Sequence, residues 1–296
     1  MKIALVCYHV LEKYQHQTVK DEDGPLLIFL QNKGLDIYRE VWNDPAVKWS
    51  EYDFVVIKAP WDYHEQLDKF LSWLEMITKL GCKVLNPVDV IKWNSDKHYL
   101  SEIAGSGLSV IPTVVLERGS EINIDELRTQ LNSETLVFKP CVSAGAKHTY
   151  KIDRNNVAEM LPKLKTLVQS DSFLVQEFSN EVVTEGEWSF IFFNGEFSHA
   201  IVKKPGSGDF RVQHYFGGTI QIKEVTTSQI SMAGKYVSQF AKGCLYARVD
   251  GIMRNDVFFL MELELIEPLL FLDFSHNGLE SAQNGYYKAL SRMLIS

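Results

Sequence analysis

Asp250, Glu262 and Glu264 stand in the segment ARVDGIMRNDVFFLMELELIEP. RVDGIM and VFFLMELEL are apolar and rich in strand formers, and Asn255-Asp256 between them is a turn pair. The segment therefore predicts a β-hairpin. Glu262 and Glu264 are two residues apart and share a strand face, and Asp250 on the partner strand can face them across the ladder. Carboxylates in so apolar a stretch need partners, either a cation or basic side chains. A hard divalent ion such as Mg²⁺ takes oxygen ligands and commonly comes with substrate phosphates. An amphipathic edge strand with its acids in water fits the same pattern, and the hairpin alone leaves both readings open.

Basic residues supply the other half of a phosphate site. Lys139 ends the apolar run LVFKP and is followed by CVSAGAKH, a stretch of small residues around Ser143 and Gly145 whose amides can close over phosphates. Lys97 reads as a lysine at a helix start, and an ammonium is a compact charge suited to phosphate oxygens. A solvated helix lysine and an edge-strand lysine are the plain alternatives. LVQEF ends in Gln176, Glu177 and Phe178. Backbone groups there can pair with an adenine edge while Phe178 packs on the ring, although an ordinary buried strand explains LVQEF equally well. Glu187 heads the strand EWSFIFF, where it suits a ribose or metal contact, or a surface turn. Arg211 lies in KKPGSGDFRVQHYFGGTI, which holds Gly206, Gly208, Gly217 and Gly218 and starts with Lys203 and Lys204. Such a loop suits a cover over a charged intermediate, or is a plain surface loop. WDYH follows the apolar run DFVVIKAP, and strand C-termini in open α/β sheets face the ligand crevice. Trp61, Asp62 and Tyr63 are thus expected to meet an acceptor substrate, with a helix N-cap as the other reading of Asp62.

The elements that position these residues follow from periodicity. Residues 1–93 alternate strand and helix: KIALVCY, GPLLIFLQNKG, LDIYREVW, DFVVIKAP, HEQLDKFLSWLEMITKLG and CKVLNP. That rhythm predicts a small open α/β domain, without the GxGxxG of a dinucleotide site. WNSDKHYLSEIAGSG reads as one helix capped by Asn94 or Ser95. Beyond it, strand pairs and isolated helices predict an α+β arrangement, with FFNGEF a hairpin through Asn194-Gly195.

Composition narrows the class. The chain has 296 residues, 46% hydrophobic and 23% charged, with a net charge of −8 and a pI near 5.5. This describes a globular protein of two or three subdomains and argues against nucleic acid as a general partner. No apolar run is long enough for a membrane span, and MKIALVCYHV reads as an opening strand. Cys7, Cys82, Cys141 and Cys244 have no metal-like spacing and read as reduced thiols of a cytoplasmic protein.

Taken in chain order, these pieces resemble the ATP-grasp ligase superfamily, in the glutathione-synthetase-like branch that includes bacterial glutathione synthetase and the D-cycloserine-forming ligase. The likeness runs through WDYH, Lys97, Lys139 with its small-residue loop, LVQEF, Glu187, GEWSFIFFNGEFSHAIVKKP, Arg211 with Gly217-Gly218, Asp250 and ELELIEP. The resemblance implies an α/β plus α+β architecture. Residues 1–93 would be a pre-ATP-grasp substrate domain, 94–186 the small ATP-grasp subdomain, and 187–296 the large subdomain with the metal site. It implies an ATP-dependent carboxylate–amine ligase that works through an acylphosphate. A decayed ATP-binding regulatory protein and a small-molecule kinase are the competing readings. Lys97, Lys139, Ser143, Gly145, Gln176, Glu177, Phe178 and Glu187 would bind ATP. Asp250, Glu262 and Glu264 would hold two Mg²⁺, with Mn²⁺ as a substitute. Arg211 and Lys139 would stabilise the reacting groups, and Trp61, Asp62, Tyr63, Lys203, Gly217 and Gly218 would meet small carboxylate and amine substrates. Superfamily analogy adds a homodimer. Many ATP-grasp enzymes carry Asn where Glu264 stands, a departure that adds one negative charge.

Overall fold

The computed structural model of the protein describes residues 1–8, 21–212 and 217–295; positions 213–216 of the glycine-rich loop lie outside them. The first sheet is parallel, in the order β2-β1-β3-β4, from β1 (Lys2–Cys7), β2 (Asp36–Val41), β3 (Phe54–Ala59) and β4 (Lys83–Leu85). Its central strands β1 and β3 are buried on both faces, which explains their continuous apolar runs, while the edge strand β2 is largely exposed. Val55 and Ile57 point toward α2 (Leu67–Lys79), which offers Phe70, Trp73, Leu74 and Ile77 at helical spacing. Ile3, Leu5, Phe54 and Val56 point the other way, onto Leu26 and Leu30 of α1 (Asp23–Asn32) and onto the C-terminal part of the chain.

The helix expected to start at a cap on Asn94 or Ser95 starts later, as α4 (Tyr99–Gly105), and a separate helix, α3 (Val88–Asn94), precedes it. Asn94 closes α3 rather than capping α4. Its amide is used on a distant part of the chain, donating to Leu263 O at 2.7 Å and accepting from Leu265 N at 3.0 Å, while the Ser95 hydroxyl donates to Lys92 O at 2.8 Å, so neither Asn94 nor Ser95 caps α4.

The second sheet is antiparallel, in the order β5-β8-β6-β7: β5 (Thr113–Leu116), β6 (Leu136–Pro140), β7 (Tyr150–Ile152) and β8 (Phe173–Glu177). One face is covered by α5 (Ile124–Leu131) and α6 (Val157–Ser170) through Leu127, Leu131, Leu164 and Val168. A short helix α7 (Glu181–Thr184) leads to the third sheet. That sheet runs β11-β10-β9-β12-β13 and is also antiparallel: β9 (Glu187–Phe193), β10 (Glu196–Lys204), β11 (Thr219–Ile222), β12 (Tyr246–Arg254) and β13 (Val257–Glu264). Both expected hairpins form, with positive φ at Asn194 and Gly195 and at Asn255 and Asp256, the backbone that two-residue hairpin turns require. The helix α8 (Thr227–Phe240) starts at a capping box between Thr226 and Gln229. It covers one face of the sheet, where Phe190, Phe192, Val249 and Leu263 meet Ala233, Tyr236 and Val237.

The other face of the third sheet is split. At one end Ile191, Phe193, Ile201 and Tyr246 pack on the first sheet and on α9 (Leu279–Leu294). At the other end the same strands carry charges. The register slips between Asp250 and Gly251, and a Cβ at Gly251 would lie 2.2 Å from Phe259 O and 2.6 Å from the Phe258 ring. Gly251→Ala is expected to cost ~3 kcal/mol, because backbone and a buried ring must both move; the shift of the urea midpoint measures it.

Among the described residues no helix is long and apolar enough to cross a membrane. The four cysteines are free and buried.

Candidate functional site

A cleft of about 470 Å³ opens between the second and third sheets and the Trp61–Glu65 segment of the first domain. That size lies within the range of small-molecule sites. Its floor is the charged end of the third sheet. Alternation along the strands puts Arg248 and Asp250 on one face of β12 and Glu262 and Glu264 on the same face of β13. Across the ladder Arg248 faces Glu264 and Asp250 faces Glu262. Farther along, Glu187 faces Lys203.

Basic side chains satisfy much of this acid. Arg248 donates to Asp250 through Nε at 3.0 Å and through a terminal nitrogen at 2.9 Å, and it also bonds Glu264. Lys203 lies 3.1 Å from Asp250 and 2.6 Å from Glu187. From the opposite wall, Lys139 and Lys97 approach the same oxygen of Glu262 at 3.3 and 3.9 Å. Burial opposes the charge on Asp250, but Arg248 and Lys203 outweigh it and hold the carboxyl well below its usual range. Burial likewise opposes Glu262, and Lys139 with Lys97 overcomes it to lower that carboxyl.

Three acids are not fully compensated. Burial raises the Glu187 carboxyl despite Lys203. Burial, reinforced by Asp250 and Glu262 and only partly offset by Arg248, pushes Glu264 up to about 7. Burial and the neighbouring Glu264 push Glu267 up to about 8. The three carboxylates read as metal ligands are not gathered into one shell, because Asp250 is turned to Arg248 and Lys203. Among the described residues, the group whose metal-type donor atoms all lie within 4.8 Å of one another is Asp96, His98 and Cys141. There the ring of His98 is already bonded to Asp96 and Glu117.

The walls bring most of the sequence-derived residues together. Lys97 is tied to the small-residue loop: its amide donates to Cys141 O at 2.9 Å and its ammonium to Ser143 O at 2.7 Å. That loop turns through positive φ at Gly145, Ala146 and His148, and its Lys147 bridges to Glu65 of the first domain at 3.3 Å. Gln176, Glu177 and Phe178 line the far wall. Glu177 is bound by Arg254 at 2.6 Å, and Lys151 sits 3.9 Å over the Phe178 ring. The amides of Glu177 and Phe178 already donate to Pro112 O and Thr135 O, so those N–H groups are not free for an adenine edge. Arg211 reaches the cleft paired with Asp209 at 2.8 Å, which holds Asp209 at about 2.

Three expected substrate contacts are absent from the cleft wall. Asp62 is 4% exposed and accepts from the Trp42 indole at 2.7 Å; it neither meets the cleft nor makes a side-chain cap. Gly217 and Gly218 lie at the loop base before β11, where a Cβ on Gly217 would meet Gly206 Cα at 3.8 Å. Trp61, Tyr63 and Lys203 do line it. Arg248 and Glu267 are functional candidates that motif reading missed. Arg248 stands two residues before Asp250, so the alternation that paired Glu262 with Glu264 would have found it.

Two family models match the chain. The model of the prokaryotic glutathione synthetase ATP-grasp domain matches residues 108–268, and that of the D-cycloserine synthetase DcsG N-terminal domain matches residues 3–86. The cycloserine biosynthesis protein DcsG of Streptomyces lavendulae is 28% identical over 274 residues, covering 86% of this chain and 89% of that protein. Glutathione synthetase of Prochlorococcus marinus subsp. pastoris is 23% identical over 254 residues, covering 81% of this chain and 78% of the relative. The crystal structure of D-cycloserine synthetase DcsG superposes with a TM-score of 0.81 at 26% identity, over 99% of this chain and 100% of that one. D-alanine–D-alanine ligase from Bacillus anthracis complexed with ATP shares the fold, with a TM-score of 0.69 at 17% identity over 100% of this chain and 96% of that one.

Proposed function

As a member of the prokaryotic glutathione synthetase ATP-grasp family, the chain is an ATP-dependent carboxylate–amine ligase, and we propose that the cleft between its second and third sheets joins amino-acid-like substrates. A substrate carboxylate oxygen attacks the γ-phosphorus of ATP and ADP leaves. The amine nitrogen then attacks the acyl carbon, loses a proton and expels phosphate, leaving an amide. The observation that carries this reading is the meeting of Lys97 and Lys139 from one wall with Glu262 from the other, within 3.9 Å. Two ammonium groups facing a carboxylate in a cleft are placed to receive phosphate oxygens.

Lys97, Lys139, Ser143 and Gly145 are assigned to the phosphates, and Gln176, Glu177 and Phe178 to the base. Phe178 offers a ring face there, while Glu177 acts through its place in the wall. Arg211 is assigned to the acylphosphate once it leaves Asp209. Glu187, paired with Lys203, is assigned to the floor of the site rather than to the ribose alone. The division into a substrate domain (1–93), a small subdomain (94–186) and a large subdomain (187–296) is our reading of which walls each segment supplies.

The floor fits magnesium in the chemistry of its donors. Glu262 and Glu264 present carboxylates on one face of β13, partly exposed to the cleft, the oxygen donors that a hard divalent ion takes. Glu262 and Glu264 would hold it, with Asp250 kept behind them by Arg248 and Lys203. When bound, Mg²⁺ supplies charge neutralisation to the transferring phosphoryl group. Arg248 answers the extra charge that Glu264 brings relative to the usual Asn.

Purified protein with MgATP and a panel of amino acids and small peptides is expected to release phosphate and yield a product lighter than its substrates by one water, read by mass spectrometry. A stable phosphorylated product without an amide would mark a kinase. ATP binding without turnover on any member would mark a regulatory protein.

A further inference from the structure

Glu267 is the one acid of the cleft wall, among the described residues, without a basic side chain within 4.0 Å. The other acids, from Glu65 on Lys147 to Glu264 on Arg248, each have one. Its main chain, in contrast, is firmly held by the first domain. The Trp61 indole donates to Glu267 O at 3.2 Å, and the buried Lys58 ammonium donates to Pro268 O at 3.2 Å. Glu22 accepts from the amides of Leu270 and Leu272 at 2.8 and 3.0 Å. A fixed backbone thus presents a carboxylate with no internal counterion to the cleft, where Trp61 and Tyr63 supply aromatic surface. A carboxylate in such surroundings is stabilised by a cation from outside the chain, and aromatic surface suits an ammonium.

We propose that Glu267 binds the ammonium group of an amino-acid substrate, so that the site takes zwitterionic substrates in preference to simple carboxylic acids. This rests on the ligase reading. Glu267 lies beyond the β13 acids assigned to metal, on the side of the first domain, which separates amino-acid recognition from phosphate handling along one stretch of chain.

Glu267→Gln keeps the shape and removes the charge. The test uses the D- or L-amino acid that gives the fastest MgATP-dependent phosphate release, with its 2-hydroxy acid counterpart as a competitive inhibitor. Wild-type protein should show the lower KM for the amino acid. In the variant that KM should rise ~10–100-fold, the scale for a lost charged hydrogen bond, while the KM for ATP and the inhibition constant of the hydroxy acid change less than about threefold. The melting temperature should hold or rise, because no internal ion pair is lost. An unchanged KM for the amino acid would overturn the inference and leave the ligase reading standing. A variant that melts well below wild type would overturn it too, since the carboxylate would then be holding the fold. No phosphate release by wild-type protein with any amino acid would remove the ligase reading itself.

Discussion

Glu262→Gln is expected to lower the maximal rate of ATP-dependent turnover by roughly 10²–10³-fold, the scale for losing one electrostatic stabiliser of a transition state. The substitution preserves volume and can still accept from Lys139, so the effect isolates charge. Glu262 is where the walls meet: Lys139 of the second sheet and Lys97 of the turn before α4 converge on it, and its side chain is 30% exposed to the cleft. Because it is not sealed in the interior, the fold should survive, and the melting temperature should stay close to that of the parent. ATP affinity should change less than the rate, since the lysines that meet phosphate remain in place. A single-turnover phosphate assay with circular dichroism as control decides the matter. A loss smaller than tenfold would place the essential charge elsewhere on the floor.

Arg248→Met acts on the opposite property. Its side chain is 9% exposed and bonds Asp250, Glu264 and Leu269 O together. Removing the guanidinium leaves two carboxylates in the floor with only Lys203 close by. Breaking a buried pair on one side is expected to cost about 3–5 kcal/mol, visible as a large fall in the urea midpoint. Adding Glu264→Gln should return part of that loss, because the second substitution removes one of the stranded charges; the interaction energy of the double-mutant cycle reports the coupling. Equal midpoints for Arg248→Met and wild type would mean that the network contributes little to the fold.

Much of this organisation is legible in the residue pattern, and what is not has identifiable causes. The alternation of strand and helix through CKVLNP is visible because β1 and β3, at the centre of the first sheet, are buried on both faces. The two hairpins are visible because Asn194-Gly195 and Asn255-Asp256 suit a backbone that few residues adopt. The acids of β13 share a face by the period of two. The same rule reaches Arg248, yet a lone arginine carries no motif to draw attention to it. Lys203 on Asp250 and Lys58 on Glu22 and Asp23 are buried opposite acids far away in the chain, and nothing local announces such pairing. Asn94 shows why a capping residue can mislead: its amide binds the main chain at Leu263 and Leu265 rather than the end of a helix. Pro162 and Gly285 lie within helices α6 and α9, where such residues ordinarily read as breaks. Asp62 resembles a cleft residue in WDYH, but one indole nitrogen turns it inward.

Helix α9 has a consequence for how the molecule is made. Ile3, Leu5, Leu26 and Phe54 bury one face of the opening sheet against Leu270, Tyr286, Leu290 and Leu294. During synthesis, therefore, β1 emerges long before α9, and that face stays open until α9 follows. The βαβ rhythm of this sheet does not make it an autonomous folding unit, and a nascent chain must keep that greasy surface shielded until α9 has emerged.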